Sequence, residues 1–278
     1  MADQHHDVTE DMGSPRTKFG EALKDARELR QEGKLSQTAL AKLARTSKST
    51  ISRIENAVPP IPSHLPVIFD QVFRTDGIFK RLYDETRVND FPSRYRLRMK
   101  LEARAIAIAE WSPNLVPGLL QTTPYARALF RAGSPRATEH EITTRAEARI
   151  ARQELLHKGS PPDLSIVICE AVIRRSVGGS DVMRGQLAAL LAHGTRYTTI
   201  VQVLPFSTGS HLLMDGSMSI LTTPDGTRVV YTESLNSAVI DDDPATVRAM
   251  SRAYDVLTAT ALPPTASAQV IREQMETL

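Results

Sequence analysis

The residues with the clearest potential for chemistry lie in one short segment, residues 37–56, which reads QTALAKLARTSKSTISRIEN. In its second half, Ile51 and Ile54 are three residues apart and form the apolar side of a helix from Ser47 to Asn56. The other side carries groups that donate hydrogen bonds to phosphates or to base edges: Lys48, Ser49, Thr50, Ser52 and Arg53. The pattern predicts a helix that reads the major groove of double-stranded DNA.

Two helices that cross over a short turn are needed to position this polar face. Ala41 supplies the small residue that such a crossing requires on the first helix. Ser36 and Ser47 supply N-caps for the two helices, because a serine hydroxyl accepts a hydrogen bond from a free backbone N–H. The segment therefore has the spacing of a helix-turn-helix.

The flanking sequence predicts three more helices, so that residues 16–90 form an all-α domain of five helices. The first is predicted to begin at the Ser14-Pro15 pair and to end at Gly33. The last two are predicted at about residues 63–73 and 77–88, after a stiff proline-rich loop.

The formal net charge of +2 hides an uneven distribution. Residues 1–15 carry −4 and predict a disordered acidic tail, whereas residues 16–56 carry +5. The remainder of the chain comes to +1. A compact basic module is an electrostatic footprint of phosphate binding, and it coincides with the helix-turn-helix.

The basic module resembles the Xre/Cro-like DNA-binding domain, through Leu35-Ser36-Gln37, Leu40-Ala41, Ser47 and Ile51-Ser52-Arg53-Ile54-Glu55. The resemblance implies a lambda-repressor-like fold in which Gln37 anchors a phosphate. It also implies that Glu55 is structural and pairs with an arginine of the first helix, for which both Arg27 and Arg30 are candidates. Arg45 stands at the turn position that the family usually fills with glycine.

Phe91-Pro92-Ser93 predicts a boundary, after which residues 93–278 form a second domain. A long helix is predicted at about residues 94–111. β-Branched apolar runs then predict strands, the last two joined as a hairpin by Pro224-Asp225-Gly226-Thr227, at residues 164–169, 198–204, 217–222 and 228–232. Helices are predicted at about residues 123–131, 138–157, 181–193 and 244–258 and from 264 onward. The predicted fold class is α+β, with a small, at least partly antiparallel sheet covered by helices.

The second domain resembles the C-terminal domain of unknown function found in WhiJ-like regulators of actinobacteria. The matching strings include Leu115-Val116-Pro117-Gly118-Leu119-Leu120-Gln121-Thr122, Tyr125-Ala126-Arg127-Ala128 and residues 149–153. Such regulators often lie beside a gene for a small partner protein and are described as antitoxin-like or developmental repressors. The resemblance therefore implies a regulatory role.

Three residues of the second domain form a possible ligand or partner site: Glu170, Arg174 and His211. The apolar residues 115–120 fit either core packing or a partner surface. Cys169 fits the core better than a nucleophile, since it lies in an apolar run. Asp243 fits a helix cap better than a cation ligand.

No common catalytic, nucleotide-binding or zinc-binding motif occurs, so we expect neither an enzyme nor a cofactor or metal site. No stretch approaches 18 apolar residues, the acidic N-terminus is not a signal peptide, and the single cysteine excludes an internal disulfide. We therefore expect a cytoplasmic, nucleoid-associated homodimer without a membrane span. The expected function is transcriptional repression at a double-stranded operator. The alternatives are an antitoxin-like protein that binds a small neighbouring-gene product and, more remotely, an enzyme that uses the second domain.

Overall fold

The structure, a computed structural model, describes residues 14–30, 33–58, 61–89, 93–234 and 237–278. The chain divides into two compact units, Met1–Ser93 and Arg94–Leu278, and each has its own hydrophobic core. Most of the predicted acidic tail lies outside the described residues, as do Phe91 and Pro92 of the predicted boundary.

Five helices form the described part of the first unit: α1 (Pro15–Glu28), α2 (Gln37–Leu43), α3 (Lys48–Glu55), α4 (Leu65–Phe73) and α5 (Ile78–Asn89). The three serine N-caps are confirmed, because Ser14, Ser36 and Ser47 each accept a hydrogen bond from the backbone N–H three residues later. The predicted end of the first helix was wrong. α1 ends at Glu28, and Gly33, with a φ of 104°, lies in the following turn, where its N–H donates to the Arg30 carbonyl.

The core of the first unit is built around three aromatic rings from three helices. The centroids of Phe19 and Phe79 lie 5.7 Å apart, and those of Phe69 and Phe79 lie 5.8 Å apart. Both pairs meet edge to face, the arrangement that the charge distribution of the rings favours. Because Ile51 and Ile54 of α3 are buried in the same cluster, the apolar side of α3 is fixed to the core and its polar side faces away.

The second unit contains a six-stranded mixed sheet in the order β3-β2-β1-β4-β5-β6. The strands are β1 (Ala107–Ser112), β2 (Asp163–Cys169), β3 (Thr199–Leu204), β4 (Ser217–Thr222), β5 (Arg228–Glu233) and β6 (Ala238–Asp241). β1, β2 and β3 are parallel, whereas β4 pairs antiparallel with β1 and β5, and β5 with β6. The α+β class and the β4–β5 hairpin are therefore confirmed.

Helices cover both faces of this sheet. They are α6 (Ser93–Arg104), α7 (Thr123–Gly133), α8 (Glu139–Ala151), α9 (Glu170–Arg174), α10 (Ser180–His193), α11 (Pro244–Thr260) and α12 (Pro264–Glu276), with 3₁₀ turns at Gly118–Leu120, Arg152–His157 and Phe206–Thr208. Along β2, Ile166 and Ile168 pack in the cluster that contains α10 and α12, whereas Val167 packs in the cluster that contains α11. None of the helices in these described ranges is both long and apolar enough to traverse a lipid bilayer.

The predicted helix at residues 94–111 was wrong in its second half. α6 ends at Arg104, and Ala107–Ser112 is β1, an interior strand of the sheet. A strand covered on both faces loses the alternation of apolar and polar residues that identifies strands, so its Ala- and Ile-rich sequence looked helical. The short strand β6 was missed as well. Of the apolar residues 115–120, Val116, Leu119 and Leu120 are buried in the core, whereas Leu115 is 39% exposed.

Candidate nucleic-acid interface and the polar centre of the second unit

The turn between α2 and α3 is closed by backbone hydrogen bonds around a left-handed residue. Arg45 has a φ of 50°, its N–H donates to the Lys42 carbonyl (3.2 Å), and the Thr46 N–H donates to the Ala41 carbonyl (2.9 Å). This pair of bonds is the Schellman arrangement, which usually has glycine at the left-handed position. Arg45 thus adopts the left-handed conformation at the position that the family usually fills with glycine, and the residue is exposed at the turn.

The polar face of α3 presents Lys48, Ser49 and Arg53 as exposed side chains, while Thr50 and Ser52 are half-buried. Thr50 takes part in the N-cap, because its N–H donates to the Ser47 Oγ (3.0 Å) and the two hydroxyl oxygens lie 2.8 Å apart. The first turn of α3 contains no acidic residue. The free N–H groups and the lysine therefore give this end of the helix a positive potential, which favours phosphate.

Gln37 is half-buried at the start of α2, and its side-chain Nε2 donates to the Glu55 Oε2 at 2.7 Å. Its amide nitrogen is therefore directed towards α3. The phosphate contact predicted for Gln37 is left to the second N–H of its side-chain amide and to its backbone N–H at the first position of α2. That contact stays a prediction.

Arg27 is the partner of Glu55, which settles the choice between Arg27 and Arg30. The Arg27 Nε donates to the Glu55 Oε1 at 2.6 Å, and its Nη2 donates to the Glu55 Oε2 at 3.0 Å. A third bond joins the Arg27 Nη1 to the Leu35 carbonyl (2.9 Å). Only 7% of the Arg27 side chain and 4% of the Glu55 side chain are exposed. The hydrogen bonds and charge of Glu55 raise the pKa of Arg27.

Gly20 is a positioning residue that sequence reasoning missed. A Cβ at this position would lie 2.7 Å from the Ile54 carbonyl oxygen and 2.9 Å from the Glu55 carbonyl oxygen. The backbones of α1 and α3 therefore approach closely at a point where only glycine fits. A glycine inside an amphipathic helix was the available signal, because it lowers helix stability unless packing requires it.

In the second unit, the structure joins two of the three residues of the predicted ligand or partner site. The Arg174 Nε donates to the Glu170 Oε1 (2.6 Å), and the Phe206 N–H donates to the Glu170 Oε2 (2.8 Å). Burial opposes ionisation of Glu170, but these two donors outweigh it and lower the pKa of its carboxyl. Glu170 thus ties α9 to the loop after β3.

His211 is not part of that pair: within the described ranges, no hydrogen bond or ion pair joins it to Glu170 or Arg174. It accepts a bond from the Leu213 N–H at its Nδ1 (3.2 Å) and packs edge to face on Trp111, with ring centroids 5.0 Å apart. Burial lowers the pKa of His211. The Trp111 Nε1 also donates to the Leu213 carbonyl (2.6 Å). His211 and Trp111 therefore both hold the loop that contains Leu213, and His211 anchors its own loop.

A buried polar centre, which the sequence did not reveal, lies between α6, the sheet and the end of α8. Arg152 donates to Glu102 from its Nε (2.8 Å) and its Nη2 (2.6 Å), and Arg98 donates to the same carboxylate (3.0 Å). Arg98 also donates to Glu110 (3.2 Å), and its guanidinium lies 5.0 Å from the ring centroid of Tyr231. These pairs compensate for the burial of the two arginine and two glutamate charges.

The motif strings of the second unit meet next to this polar centre. Gln121 accepts a bond from the Arg149 Nη1 at its Oε1 (3.1 Å) and from the Gln153 Nε2 at its carbonyl (2.6 Å). Its own Nε2 donates to the Val116 carbonyl (2.7 Å). Burial lowers the pKa of Arg149 to about 10. These contacts show that residues 115–122 and 149–153 form one packed region.

Two further residues act in capping. The Cys169 Sγ accepts a bond from the Ala171 N–H (3.5 Å) at the start of α9. The Asp243 carboxylate accepts bonds from the Ala245 and Thr246 N–H groups at the start of α11 (3.0 and 2.9 Å), as predicted. The described residues contain no group of three side chains suited to hold a metal ion.

The fold of the first unit and the outward face of α3 define a helix-turn-helix protein, the class that binds DNA in transcription regulators. Residues 19–77 match the model of a helix-turn-helix domain, and residues 95–273 match that of a domain of unknown function, DUF5753. Because the second match covers more than half of the chain, the chain belongs to the DUF5753 family. Comparisons with curated proteins and with solved structures found no match.

Proposed function

We propose that the protein is a sequence-specific transcriptional repressor of the Xre/Cro type, with the WhiJ-like arrangement of a DNA-binding unit followed by a regulatory unit. The observation that carries the proposal is the orientation of α3. Ile51 and Ile54 are buried in the core, while Lys48, Ser49 and Arg53 are exposed on the opposite face. These are the side chains that contact phosphates and base edges in the major groove.

The proposal includes a homodimer. α3 has only eight residues, so one copy makes a limited number of base contacts. Two copies on half-sites one helical turn apart supply both affinity and register. The second unit has its own core and does not contain the DNA-reading helix, so its role in the proposal is to control binding without catalysis.

The test begins with genome-wide mapping of the bound DNA, which supplies an operator sequence and shows whether the protein binds its own promoter. Gel-shift titrations then compare the full-length protein with Arg53→Ala and Lys48→Ala. A lost base contact costs about 1–3 kcal/mol, or roughly a fivefold to 150-fold loss of affinity. A lost phosphate contact weakens binding to all sequences and reduces the salt slope by about 1.

Lys24→Ala is the matched control, because it removes one exposed cation of the first unit from α1 instead of α3. Its operator affinity is expected to stay close to that of the parent protein. Far-ultraviolet circular dichroism checks that all three variants remain folded. Unchanged affinity in both α3 variants would exclude the proposed docking of α3. A reporter gene that rises when the protein is deleted supports repression, and one that falls indicates activation.

A second candidate function is an antitoxin-like protein whose second unit binds a small partner encoded nearby. It is favoured by three large apolar side chains that the loop after β3 exposes: Phe206, Leu212 and Met214, at 59%, 73% and 59% exposure. Large apolar side chains gathered on one surface segment are typical of protein-binding sites. Co-expression with the neighbouring gene product tests this candidate by co-elution in gel filtration. Leu212→Asp should abolish co-elution, whereas Leu97→Asp, at an exposed apolar position of α6, should not.

A further inference from the structure

We propose that the second unit binds a small phosphorylated metabolite in a groove between α11 and the turn that joins β4 to β5. The groove has a volume of about 600 Å³. This volume lies within the range of roughly 300–1,000 Å³ found for small-molecule sites. The ligand class follows from the groups that line the groove: Arg228, Arg248, Arg252, Ser251, Asp242 and Asp255.

One wall of the groove is a continuous stripe of α11. The lining residues at positions 244, 247, 248, 251, 252 and 255 follow the three- and four-residue spacing of one helix face. The opposite wall is the turn and first residue of β5, Gly226, Thr227 and Arg228. The Asp225 carboxylate fixes this turn by accepting bonds from the Thr223 hydroxyl (2.5 Å) and the Thr227 N–H (3.3 Å). Both walls are therefore regular, well-defined elements.

Three exposed arginines from the two walls line the groove. Among the described residues, Arg228, Arg248 and Arg252 make no hydrogen bond or close ion pair, although Asp242 and Asp255 line the same groove and Arg248 interacts electrostatically with Asp243 at the start of α11. Each guanidinium carries five N–H donors in a planar fork that matches two oxygens of a phosphate group. Charged bidentate bonds of this kind are among the stronger polar contacts that a protein makes. Phosphate is thus the anion that this set of donors fits.

Ser251 supplies a second and independent sign of a ligand. Its Oγ is buried in the wall between Arg248 and Arg252, yet it has no hydrogen-bond partner among the described residues. A buried hydroxyl without a partner costs about 1–3 kcal/mol, so such atoms in native structures call for an explanation. A phosphate oxygen bound by the flanking arginines would accept a hydrogen bond from the Ser251 hydroxyl once this side chain rotates from its buried position towards the groove.

The two aspartates restrict the source of the phosphate. Asp242 and Asp255 place negative charge in the groove, which opposes the continuous negative charge of a DNA backbone. The same carboxylates accept hydrogen bonds from hydroxyl or ammonium groups. The groove therefore fits a phosphomonoester that also carries hydroxyl or amino groups better than it fits inorganic phosphate or DNA.

Isothermal titration calorimetry on the full-length protein tests the proposal with four probes: glycerol 3-phosphate, inorganic phosphate, glycerol, and sodium chloride at equal ionic strength. Glycerol 3-phosphate should bind most tightly, inorganic phosphate more weakly, and glycerol and chloride not at all. Arg248→Ala and Arg252→Ala should each weaken glycerol 3-phosphate binding about tenfold or more. Asp255→Asn should reduce the preference for glycerol 3-phosphate over inorganic phosphate.

Arg184→Ala is the matched control, because it removes an exposed arginine that pairs with Asp181 on α10, away from the groove residues. It should leave glycerol 3-phosphate binding unchanged. The proposal is overturned if neither phosphate probe binds, or if Arg248→Ala and Arg252→Ala bind as the parent does. The other possible source of phosphate for the groove is the DNA backbone, and operator affinity measured without added phosphate tests it. A loss in Arg248→Ala and Arg252→Ala but not in Arg184→Ala would assign the groove to DNA phosphates and overturn the small-ligand assignment.

Discussion

Arg27 and Glu55 form a buried ion pair with two parallel hydrogen bonds, 2.6 and 3.0 Å long, which ties the last turn of α1 to the last turn of α3. The same guanidinium holds the Leu35 carbonyl, just before α2. One side chain thus connects the three segments around the helix-turn-helix. The direction of α3, and with it the placement of its polar face, depends on this contact at the end opposite to Lys48.

Replacing Arg27 with methionine should destabilise the first unit by about 3–5 kcal/mol, because it leaves Glu55 as a buried charge without its cation. Gln37 would remain as a donor to Glu55 but carries no charge. Hydrogen–deuterium exchange of the α1 and α3 amides measures the loss in the full-length protein. The second unit should keep the exchange rates of the parent.

Lys34→Ala provides the comparison for Arg27→Met. The Lys34 side chain is 68% exposed, and its Nζ lies 3.8 Å from the Glu28 Oε1. Exposed ion pairs contribute about 0–1 kcal/mol to stability. The α1 and α3 amides of this variant should therefore exchange almost as fast as those of the parent protein. If the α1 and α3 amides are equally protected from exchange in the two variants, the Arg27–Glu55 pair does not position α3.

Most of the first unit could be predicted because its signals are local. Serine caps, the spacing of Ile51 and Ile54, and the small Ala41 all act within a few residues of one another. The choice between Arg27 and Arg30 could not be made, since it depends on where α1 ends. The helix stops at Glu28, so Arg27 is still on its last turn and Arg30 is beyond it.

The second unit was harder to predict because its organisation depends on distant contacts. β1 pairs with residues about 56 and 115 positions later in the chain, as in Ala107 with Asp163 and with Thr222. The polar centre likewise joins Arg98 to Ser219, which are 121 residues apart. Sequence spacing cannot show such pairs. The hairpin turn at Gly226 was found because its signal lies within four residues.

Arg45→Gly should stabilise the first unit and weaken operator binding at the same time. Glycine removes the steric cost of the left-handed backbone, about 1 kcal/mol. It also removes an exposed cation next to the start of α3. Hydrogen–deuterium exchange measures the stability, and gel shift measures the affinity. Arg45→Ala, which keeps the strain but loses the charge, should weaken binding without a gain in stability.

Arg74→Gly separates the two effects of the change at Arg45. Arg74 ends α4 with a φ of 53° and is also exposed, so glycine should give a similar gain in stability. It lies outside the helix-turn-helix, and its replacement should leave operator affinity unchanged. If Arg74→Gly and Arg45→Gly weaken operator binding equally, the loss reflects net charge and not the position of Arg45.

Glu102→Gln and Glu110→Gln should have different effects on the second unit, although both carboxyls are buried beside Arg98. Burial alone would raise the pKa of Glu102, but the charges of Arg152 and Arg98 outweigh it and lower that pKa. Burial raises the pKa of Glu110, and Arg98 only partly offsets it. At neutral pH, Glu102→Gln should cost about 3 kcal/mol, whereas Glu110→Gln should cost less than about 1 kcal/mol.

The fluorescence of Trp111, the one tryptophan of the chain, follows unfolding of the second unit in urea, because this residue is buried in its core. The stabilisation by Glu102 is present above its ordinary pKa of 4.5 and is lost as the pH falls below that value towards its lower folded-state pKa. Glu110 has the opposite effect on the pH dependence of stability. Because its pKa is raised in the folded state, its ionisation destabilises the second unit as the pH rises. Glu102→Gln should therefore flatten the acid limb of the stability profile, and an unchanged limb would contradict the pairing with Arg152.

Gly20→Ala should destabilise the first unit by about 1–3 kcal/mol, although alanine ordinarily favours helix over glycine. The added Cβ would lie 2.7 Å from a backbone oxygen of Ile54, and backbone cannot move aside as the end of a side chain can. Gly185→Ala is the opposite case within α10. Its added Cβ meets no atom within 4 Å, so the second unit should gain about 0.5–1 kcal/mol.

The stability of both glycine variants is measured in the full-length protein. Hydrogen–deuterium exchange of the α1 and α3 amides is used for Gly20→Ala, and Trp111 fluorescence in urea is used for Gly185→Ala. Because the substitution is the same, opposite signs of the change in stability would be due to the close approach of α1 and α3 at Gly20. That approach sets how far α3 projects from the core, so Gly20→Ala should also weaken operator binding even at temperatures where the first unit stays folded. A stabilised first unit in Gly20→Ala would show that α1 and α3 can move apart at no cost, and the proposed positioning of α3 by Gly20 would be wrong.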